Sequence, residues 1–121
     1  MLDVNNNYHL LKLYYPSKDK ENKPLNQAIA NPLYKHLIKD IVEITQGLTV
    51  YPSIGYYMSS QGMIIDENIS IITVYTDKLE LIQGLMQFYA KQMLDVLNQE
   101  SIMIESDNIP SFITGKDNLD V

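Results

Sequence analysis

The stretch Ile69-Ser70-Ile71-Ile72-Thr73-Val74-Tyr75 carries the strongest β-strand pattern in the chain. Its β-branched and aromatic side chains pack well on a pleated surface, and residues of these types are enriched in strands. Apolar side chains fall on both faces of this stretch, so neither face is predicted to be simply polar. We therefore predict a strand from Met63 to Tyr75 that lies inside a sheet rather than at its edge.

A helix and a further strand are predicted after this stretch. Asp77 followed by Glu80 fits a capping box, in which two side chains satisfy free amides at a helix start. Apolar residues then recur at helical spacing and form one stripe. They are Leu79, Ile82, Met86, Tyr89, Met93 and Val96 or Leu97. Ser101-Ile102-Met103-Ile104 predicts the last strand, and Phe112 and Ile113 are candidates for its extension.

A hairpin and an edge strand are predicted before the same stretch. Ser59-Ser60-Gln61-Gly62 is typical of a turn, and Leu48-Thr49-Val50-Tyr51 begins an earlier strand. Pro52 has no amide to donate to a neighbouring strand, which confines its strand to the edge of a sheet. We expect Pro52 or Gly55 to mark a bulge in this edge strand.

The first third of the chain predicts one strand and one helix. Residues 8–15 are aromatic and leucine-rich, and Pro16 ends the strand that they predict. Asn31-Pro32 fits a helix start, because asparagine caps free amides and proline is tolerated at the first helical position. Gly47 suits the left-handed residue that ends many helices. The predicted helix therefore begins at Asn31-Pro32 and ends at Gly47.

The order of predicted elements is β-α-β-β-α-β, the split βαβ arrangement of ferredoxin-like folds. We predict an α+β, ferredoxin-like βαββαβ fold with a four-stranded antiparallel sheet and both helices on one face. Right-handed crossovers place strands 1 and 3 in the centre and strands 2 and 4 at the edges. A chain of 121 residues is expected to form one domain. We assign its core to about residues 8–105 and a C-terminal tail to residues 106–121.

The composition excludes several classes of function. The chain has 15 acidic and 9 basic residues, a formal net charge of -6 and no cysteine, and every basic residue is lysine. Without cysteine there are no disulfides, iron–sulfur clusters or thiolate zinc sites. Without arginine the chain lacks the side chain that most often reads guanine or grips phosphate. With no signal-peptide pattern and no long apolar run, we expect a cytoplasmic protein without a cofactor that binds neither nucleic acid nor membranes.

Several short segments keep the order and spacing of a known bacterial family. The segments are Gly47-Leu48-Thr49-Val50, Gly55-Tyr56-Tyr57, Gly62, Asp66-Glu67 and Gln99-Glu100-Ser101. Over about residues 47–105 the chain resembles the family catalogued as domain of unknown function 3574. Gln99-Glu100-Ser101 is the most specific match, whereas Tyr57 stands where the family usually has tryptophan. The resemblance implies the fold and a bacterial relationship, and it implies no reaction.

Two carboxylates are the leading candidates for catalysis. Glu67 and Glu100 lie near the starts of strands 3 and 4, which run parallel and so begin at the same end of the sheet. Two neighbouring carboxylates can divide acid and base roles, because each raises the pKa of the other. The alternative is that Glu100 satisfies backbone amides and Glu67 is solvated. His9 and Tyr57 complete the catalytic candidates, and the spacing of the histidines predicts no metal site.

Tyrosine is unusually frequent, with nine tyrosines against two phenylalanines. Tyr51, Tyr56 and Tyr57 cluster along strand 2, and a tyrosine combines apolar area with one polar tip. We predict that these three residues, together with Glu67, bind a ligand. The alternative is an ordinary half-buried sheet that is rich in tyrosine.

The predicted strands carry apolar residues on both faces, although two helices cover only one face. An exposed apolar patch of that size is uncommon on a soluble monomer, so we expect a homodimer packed sheet to sheet. The leading functional hypothesis is a ligand- or protein-binding module. The alternatives are a cofactor-free dimeric α+β-barrel enzyme, isomerase- or monooxygenase-like, and an acidic inhibitor protein from a mobile element.

Overall fold

A computed structural model of the chain describes Leu2, Val4 and residues 6–115. The last six residues of the predicted tail, 116–121, lie outside this part. The described chain forms five strands and two helices. In chain order they are β1 (His9–Tyr15), α1 (Gln27–Thr45), β2 (Thr49–Met58), β3 (Ile64–Thr76), α2 (Leu79–Val96), β4 (Ser101–Ser106) and β5 (Ile109–Thr114).

The strands form one antiparallel sheet in the order β2-β3-β1-β4-β5. As predicted, β1 and β3 lie inside the sheet and β2, with Pro52, lies at an edge. The predicted count of four strands is wrong, because β5 adds a second edge beyond β4. Asp107 and Asn108 have φ angles of 52° and 69°, and two left-handed residues make the tight turn that folds β5 back onto β4.

The core lies between the two helices and one face of the sheet. Leu11, Leu13 and Tyr15 of β1 alternate into it, together with Ile72 and Val74 of β3. The helices contribute Leu37, Ile41, Ile82, Met86 and Met93, all fully buried. Burial of each such side chain is worth about 1.5–3 kcal/mol relative to exposure. This packing holds both helices on the same face and leaves the other face without a helix.

Helix α1 begins earlier than predicted. Asn26 is its N-cap, and the Asn26 Oδ1 accepts a hydrogen bond from the Ala28 amide at 3.0 Å. The predicted start at Asn31-Pro32 is wrong, since Pro32 lies inside the helix just after its first turn. The left-handed residue at the helix end is Gln46, with φ 71°, rather than Gly47. The Gln46 amide donates to the Val42 carbonyl at 2.8 Å, which closes the last turn.

Helix α2 has the predicted apolar stripe but not the predicted capping box. Its N-cap residue is Lys78, which makes no side-chain cap. The Thr76 hydroxyl instead accepts from the Lys78 amide at 3.0 Å. Within the described residues, neither helix is long and apolar enough to cross a membrane.

The β2–β3 hairpin reaches beyond the rest of the sheet. Pairing of β3 with β2 runs to Ile64, through a turn that contains Gly62 with φ 77°. Pairing of β3 with β1 ends earlier, where Tyr15 meets Ser70. The chain leaves the sheet after Tyr15, so a gap opens between the hairpin on one side and the start of β4 on the other.

Candidate functional site

The candidate site lies on the sheet face that carries no helix, which we call the open face. Residues paired across neighbouring strands share a face. Because Leu11 and Leu13 point into the core, their neighbours Lys12 and Tyr14 lie on the open face. The strand pairing adds further side chains to it. They are Tyr51 and Tyr57 of β2, Glu67, Ile69 and Ile71 of β3, Met103 and Glu105 of β4, and Phe112 of β5.

A cavity of 340 Å³, which we call the aromatic cavity, occupies the gap at the end of β1. Its wall is mostly apolar and includes four aromatic residues. The lining residues are Tyr14, Pro16, Gly55, Tyr56, Tyr57, Glu67, Ile69, Gln99, Ser101, Ile102, Met103 and Phe112. Three of the four predicted ligand-binding residues, Tyr56, Tyr57 and Glu67, therefore line one cavity.

Glu67 is half-buried and fixed in place by the backbone. Its Oε2 accepts hydrogen bonds from the Ser17 amide at 3.1 Å and the Lys18 amide at 2.8 Å. Both amides belong to the loop that follows β1. Among the described residues these two bonds are the ones that Glu67 makes, and both use Oε2. The Oε1 atom makes no hydrogen bond within the described residues.

Tyr57 lies beside this carboxylate on the wall of the aromatic cavity. Burial raises the pKa of Tyr57, and the negative charges of Glu67 and Asp19 raise it further. The phenol therefore stays protonated at neutral pH. It is a neutral hydrogen-bond donor rather than a base.

A second tyrosine–carboxylate pair, Tyr14 and Glu105, lies on the same face. The Tyr14 hydroxyl donates a short hydrogen bond to Glu105 Oε1. Burial, this hydrogen bond and the charge of Glu105 together raise the pKa of Tyr14 to about 12. The sequence reasoning missed this pair, because recognising it requires the register of β1 against β4, in which Lys12 stands opposite Glu105.

A second cavity of 260 Å³, which we call the polar cavity, adjoins the first. Its lining residues are Lys18, Asp19, Lys20, Tyr57, Glu67, Gln99, Glu100 and Ser101. Three of the four catalytic candidates, Tyr57, Glu67 and Glu100, thus border it. Gln99, also missed as a site residue, is held there because its Nε2 donates to the carbonyls of Lys18 at 2.8 Å and Leu97 at 3.0 Å.

Two predicted site residues lie away from both cavities. His9 is at the other end of β1, where its Nδ1 contacts Asp107 Oδ2 at 2.7 Å. This hydrogen bond lowers the pKa of Asp107, and a second bond from the Leu10 amide adds to the effect. Tyr51 shares the open face but is 55% exposed. Among the described residues, no three histidine, aspartate or glutamate side chains are grouped to hold a metal ion.

The chain was compared with known proteins. No protein-family model matches it, and no curated protein matches it. A solved structure of a phage SAM lyase in complex with S-methyl-5'-thioadenosine is similar, with a TM-score of 0.63 and 15% identity over 96% of each chain. The apo state of a phage SAM lyase has a TM-score of 0.62 and 16% identity, covering 96% of this chain and 97% of that one. At this identity the likeness shows a shared α+β fold.

Proposed function

We propose that this protein binds S-adenosylmethionine (SAM) in the aromatic cavity and cleaves it as a lyase, releasing S-methyl-5'-thioadenosine. The observation that supports the proposal is the wall of the cavity, where three tyrosines, Phe112 and the carboxylate of Glu67 line one space, within a fold shared with a phage SAM lyase. The cavity volume of 340 Å³ falls within the range of about 300–1,000 Å³ that is usual for small-molecule sites.

The chemistry of the cavity wall suits the parts of SAM. An adenine ring is flat and apolar on its faces, and it stacks well against aromatic rings. The sulfonium is a cation, which tyrosine faces attract and which a carboxylate attracts more strongly. Ile69, Met103 and Phe112 add apolar surface to the wall. Glu67 supplies the negative charge, and its hydrogen bonds with Ser17 and Lys18 keep that charge in place.

The reaction changes the charge that the cavity holds. A carboxylate oxygen of the substrate's own amino-acid portion bonds to its γ-carbon as the bond between that carbon and sulfur breaks. Sulfur keeps the electron pair, so the sulfonium becomes a neutral thioether and the four-carbon portion leaves as a lactone. The attraction between Glu67 and the ligand is therefore lost as the product forms. We expect SAM to bind more tightly than S-methyl-5'-thioadenosine, so that the product leaves readily.

Incubation of the purified protein with SAM tests the activity directly. Chromatography with mass detection should find S-methyl-5'-thioadenosine, and the mass of the four-carbon product at early times separates lysis, which adds no water, from hydrolysis. A Glu67→Gln variant keeps an oxygen acceptor for the two amides but loses the charge. We expect its SAM affinity to fall about tenfold, with little change for the neutral thioether.

The exposed Glu80 on α2 gives a matched control, since Glu80→Gln also removes one negative charge but lies in neither cavity. It should bind SAM like the wild type. Binding without turnover would favour the binding module predicted from the sequence. Absence of both binding and turnover would reject the proposal.

We also propose that the fold is ferredoxin-like with one added strand. The order β2-β3-β1-β4 within the sheet is the order that a split βαβ arrangement gives, and β5 extends it at one edge. The resemblance to the family of domain of unknown function 3574 stays a prediction.

We propose further that a second copy of the chain covers the open face. Tyr51, Tyr75 and Phe112 on this face are 55%, 63% and 60% exposed. Aromatic side chains are enriched at interfaces between proteins, and their burial between two sheets would remove this apolar surface from water. The acidic-inhibitor alternative draws less support, because Glu21 and Glu43 are each paired with a lysine of their own segment.

A further inference from the structure

The polar cavity differs in chemistry from the aromatic cavity that it adjoins. The two share the wall residues Tyr57, Glu67, Gln99 and Ser101, so one elongated ligand can occupy both. The remaining residues of the polar cavity are Lys18, Asp19, Lys20 and Glu100, and all four carry charges. A cavity that presents both signs of charge suits a ligand group that also carries both signs.

Three of the five charged groups in the polar cavity already have protein partners. Lys18 Nζ donates to the Asp66 carbonyl at 3.1 Å. Asp19 Oδ1 accepts from the amides of Glu21 at 2.8 Å and Lys23 at 3.0 Å, and these bonds hold the pKa of Asp19 below its usual value. Glu67 Oε2 is bonded to two further amides.

Lys20 and Glu100 are the charged groups that remain available. Within residues 6–115, the Lys20 ammonium and the Glu100 carboxylate make no hydrogen bond and no ion pair. The Lys20 backbone is held beside the segment that leads into Glu100, since the Lys20 amide donates to the Asn98 carbonyl at 2.9 Å. Gln99 reinforces this contact by donating to the Lys18 carbonyl at 2.8 Å. One cation and one anion are thus presented to the same cavity.

We propose that the polar cavity binds the zwitterionic α-amino-acid end of the ligand. The Lys20 ammonium binds its carboxylate and the Glu100 carboxylate binds its ammonium group, while the aromatic cavity holds the adenine and sulfur portions. This inference rests on the proposed function. It assigns specificity to Lys20 and Glu100, which discriminate SAM-like ligands from nucleosides that lack the amino acid.

A comparison of two uncleaved ligands tests the assignment. S-adenosylhomocysteine and S-methyl-5'-thioadenosine are both neutral at sulfur, and only the former has an amino-acid end. Isothermal titration of the wild type should show tighter binding of S-adenosylhomocysteine. In Lys20→Met and in Glu100→Gln we expect its affinity to fall about tenfold or more, as for the loss of a charge-assisted hydrogen bond. The affinity for S-methyl-5'-thioadenosine should not change.

Two controls make the test specific. Lys91→Met removes an exposed lysine of α2 that lines neither cavity, and it should leave both affinities unchanged. Lys20→Arg keeps the positive charge and should retain the preference for S-adenosylhomocysteine over S-methyl-5'-thioadenosine. Because Lys20 and Glu100 are both exposed, added salt should weaken the preference for S-adenosylhomocysteine in the wild type, and it should do so less in Lys20→Met, which keeps only the Glu100 interaction.

The possible failures can be told apart. If the wild type binds S-methyl-5'-thioadenosine but shows no preference that depends on Lys20 and Glu100, the amino-acid subsite is overturned and the aromatic cavity stands. An equal loss of affinity for both ligands in Lys20→Met also overturns the subsite. If the wild type binds neither ligand, nor SAM, the proposed function is overturned and the subsite with it.

Discussion

At the scale of single residues, Gly55 keeps the aromatic cavity open. A Cβ atom at this position would lie 2.5 Å from Cδ1 of Ile69, which is the flexible tip of a side chain in the cavity wall. The two atoms cannot approach so closely, so the Ile69 side chain would have to move. A larger residue at position 55 therefore acts on the cavity through its neighbour on β3.

We predict that Gly55→Ala weakens ligand binding more than it weakens the fold. Titration with S-methyl-5'-thioadenosine should show lower affinity, while thermal unfolding changes little. Gly84→Ala is the matched control, because a Cβ there meets no atom within 4 Å. Since alanine favours helix over glycine, Gly84→Ala should stabilise α2 by up to about 1 kcal/mol and leave the affinity unchanged. Equal affinities in both variants would contradict this role for Gly55.

Three tyrosines, two buried and one half-buried, make the folded state sensitive to alkali. The pKa values of Tyr14, Tyr15 and Tyr89 are each raised from 10.0 to about 12, in every case mainly by burial. Below pH 10 these phenols are protonated in both the folded and unfolded chain, so their contribution to stability is fully present. Between pH 10 and about 12 the unfolded chain ionises and the folded chain does not, so the free energy of unfolding falls.

We predict that Tyr15→Phe reduces this pH dependence. The substitution removes the hydrogen bond from the Tyr15 hydroxyl to the Ala30 carbonyl, 2.9 Å long, and should cost about 1 kcal/mol at neutral pH. Between pH 10 and 12, however, its free energy of unfolding should fall less steeply than that of the wild type. Urea unfolding at several pH values measures both effects. If the free energy of unfolding falls equally steeply with pH in both proteins, Tyr15 does not contribute to the loss of stability at alkaline pH.

At the scale of secondary structure, Asn26 and Asn31 are the two candidate N-cap residues of α1. Asn26 makes the capping hydrogen bond, whereas Asn31, the residue favoured by the sequence pattern, lies exposed within the helix. We predict that Asn26→Ala costs about 1 kcal/mol of stability. Asn31→Ala should be neutral or slightly stabilising, because alanine has the higher helix propensity. Chemical denaturation measures the stability of both variants. A larger loss of stability for Asn31→Ala than for Asn26→Ala would contradict the structure.

The elements that the sequence predicts well are those with strong periodicity. The apolar stripe of α2 and the run of β-branched residues in β3 both appear as predicted. The predictions that are wrong concern the ends of the helices and strand β5, where short polar residues determine the backbone conformation. Asp107 and Asn108 look like the start of a polar tail, yet their left-handed backbone conformation makes a hairpin turn. Local patterns do not reveal that Ile113 then packs against the core.

At the scale of the whole molecule, only part of the candidate site can be predicted from the sequence. The proximity of Tyr57 and Glu67 follows from the β2–β3 hairpin, in which both lie on the open face. By contrast, the contributions of Tyr14, Gln99 and Phe112 depend on strand order and register, which no local pattern specifies. The chemistry of His9 makes it a catalytic candidate, but the sheet places it at the opposite end of β1.

Because a second copy is proposed to cover the open face, we predict that the protein is a dimer in solution. Light scattering of a purified sample at micromolar concentration should give twice the mass of the chain, 13.9 kDa. Tyr75→Lys together with Phe112→Lys would place charges on the exposed part of this face and should yield monomers that remain folded. A monomer mass for the wild type would contradict the proposed pairing.

Both outer strands contain a proline, and this limits how copies of the chain can aggregate. Pro52 of β2 pairs with Ser70 of β3, and Pro110 of β5 pairs with Glu105 of β4. A proline fits such a ladder where its nitrogen faces away from the neighbouring strand, so each free edge lacks one amide donor. An incoming strand cannot complete its hydrogen bonds there, which hinders the templated stacking that builds fibrils.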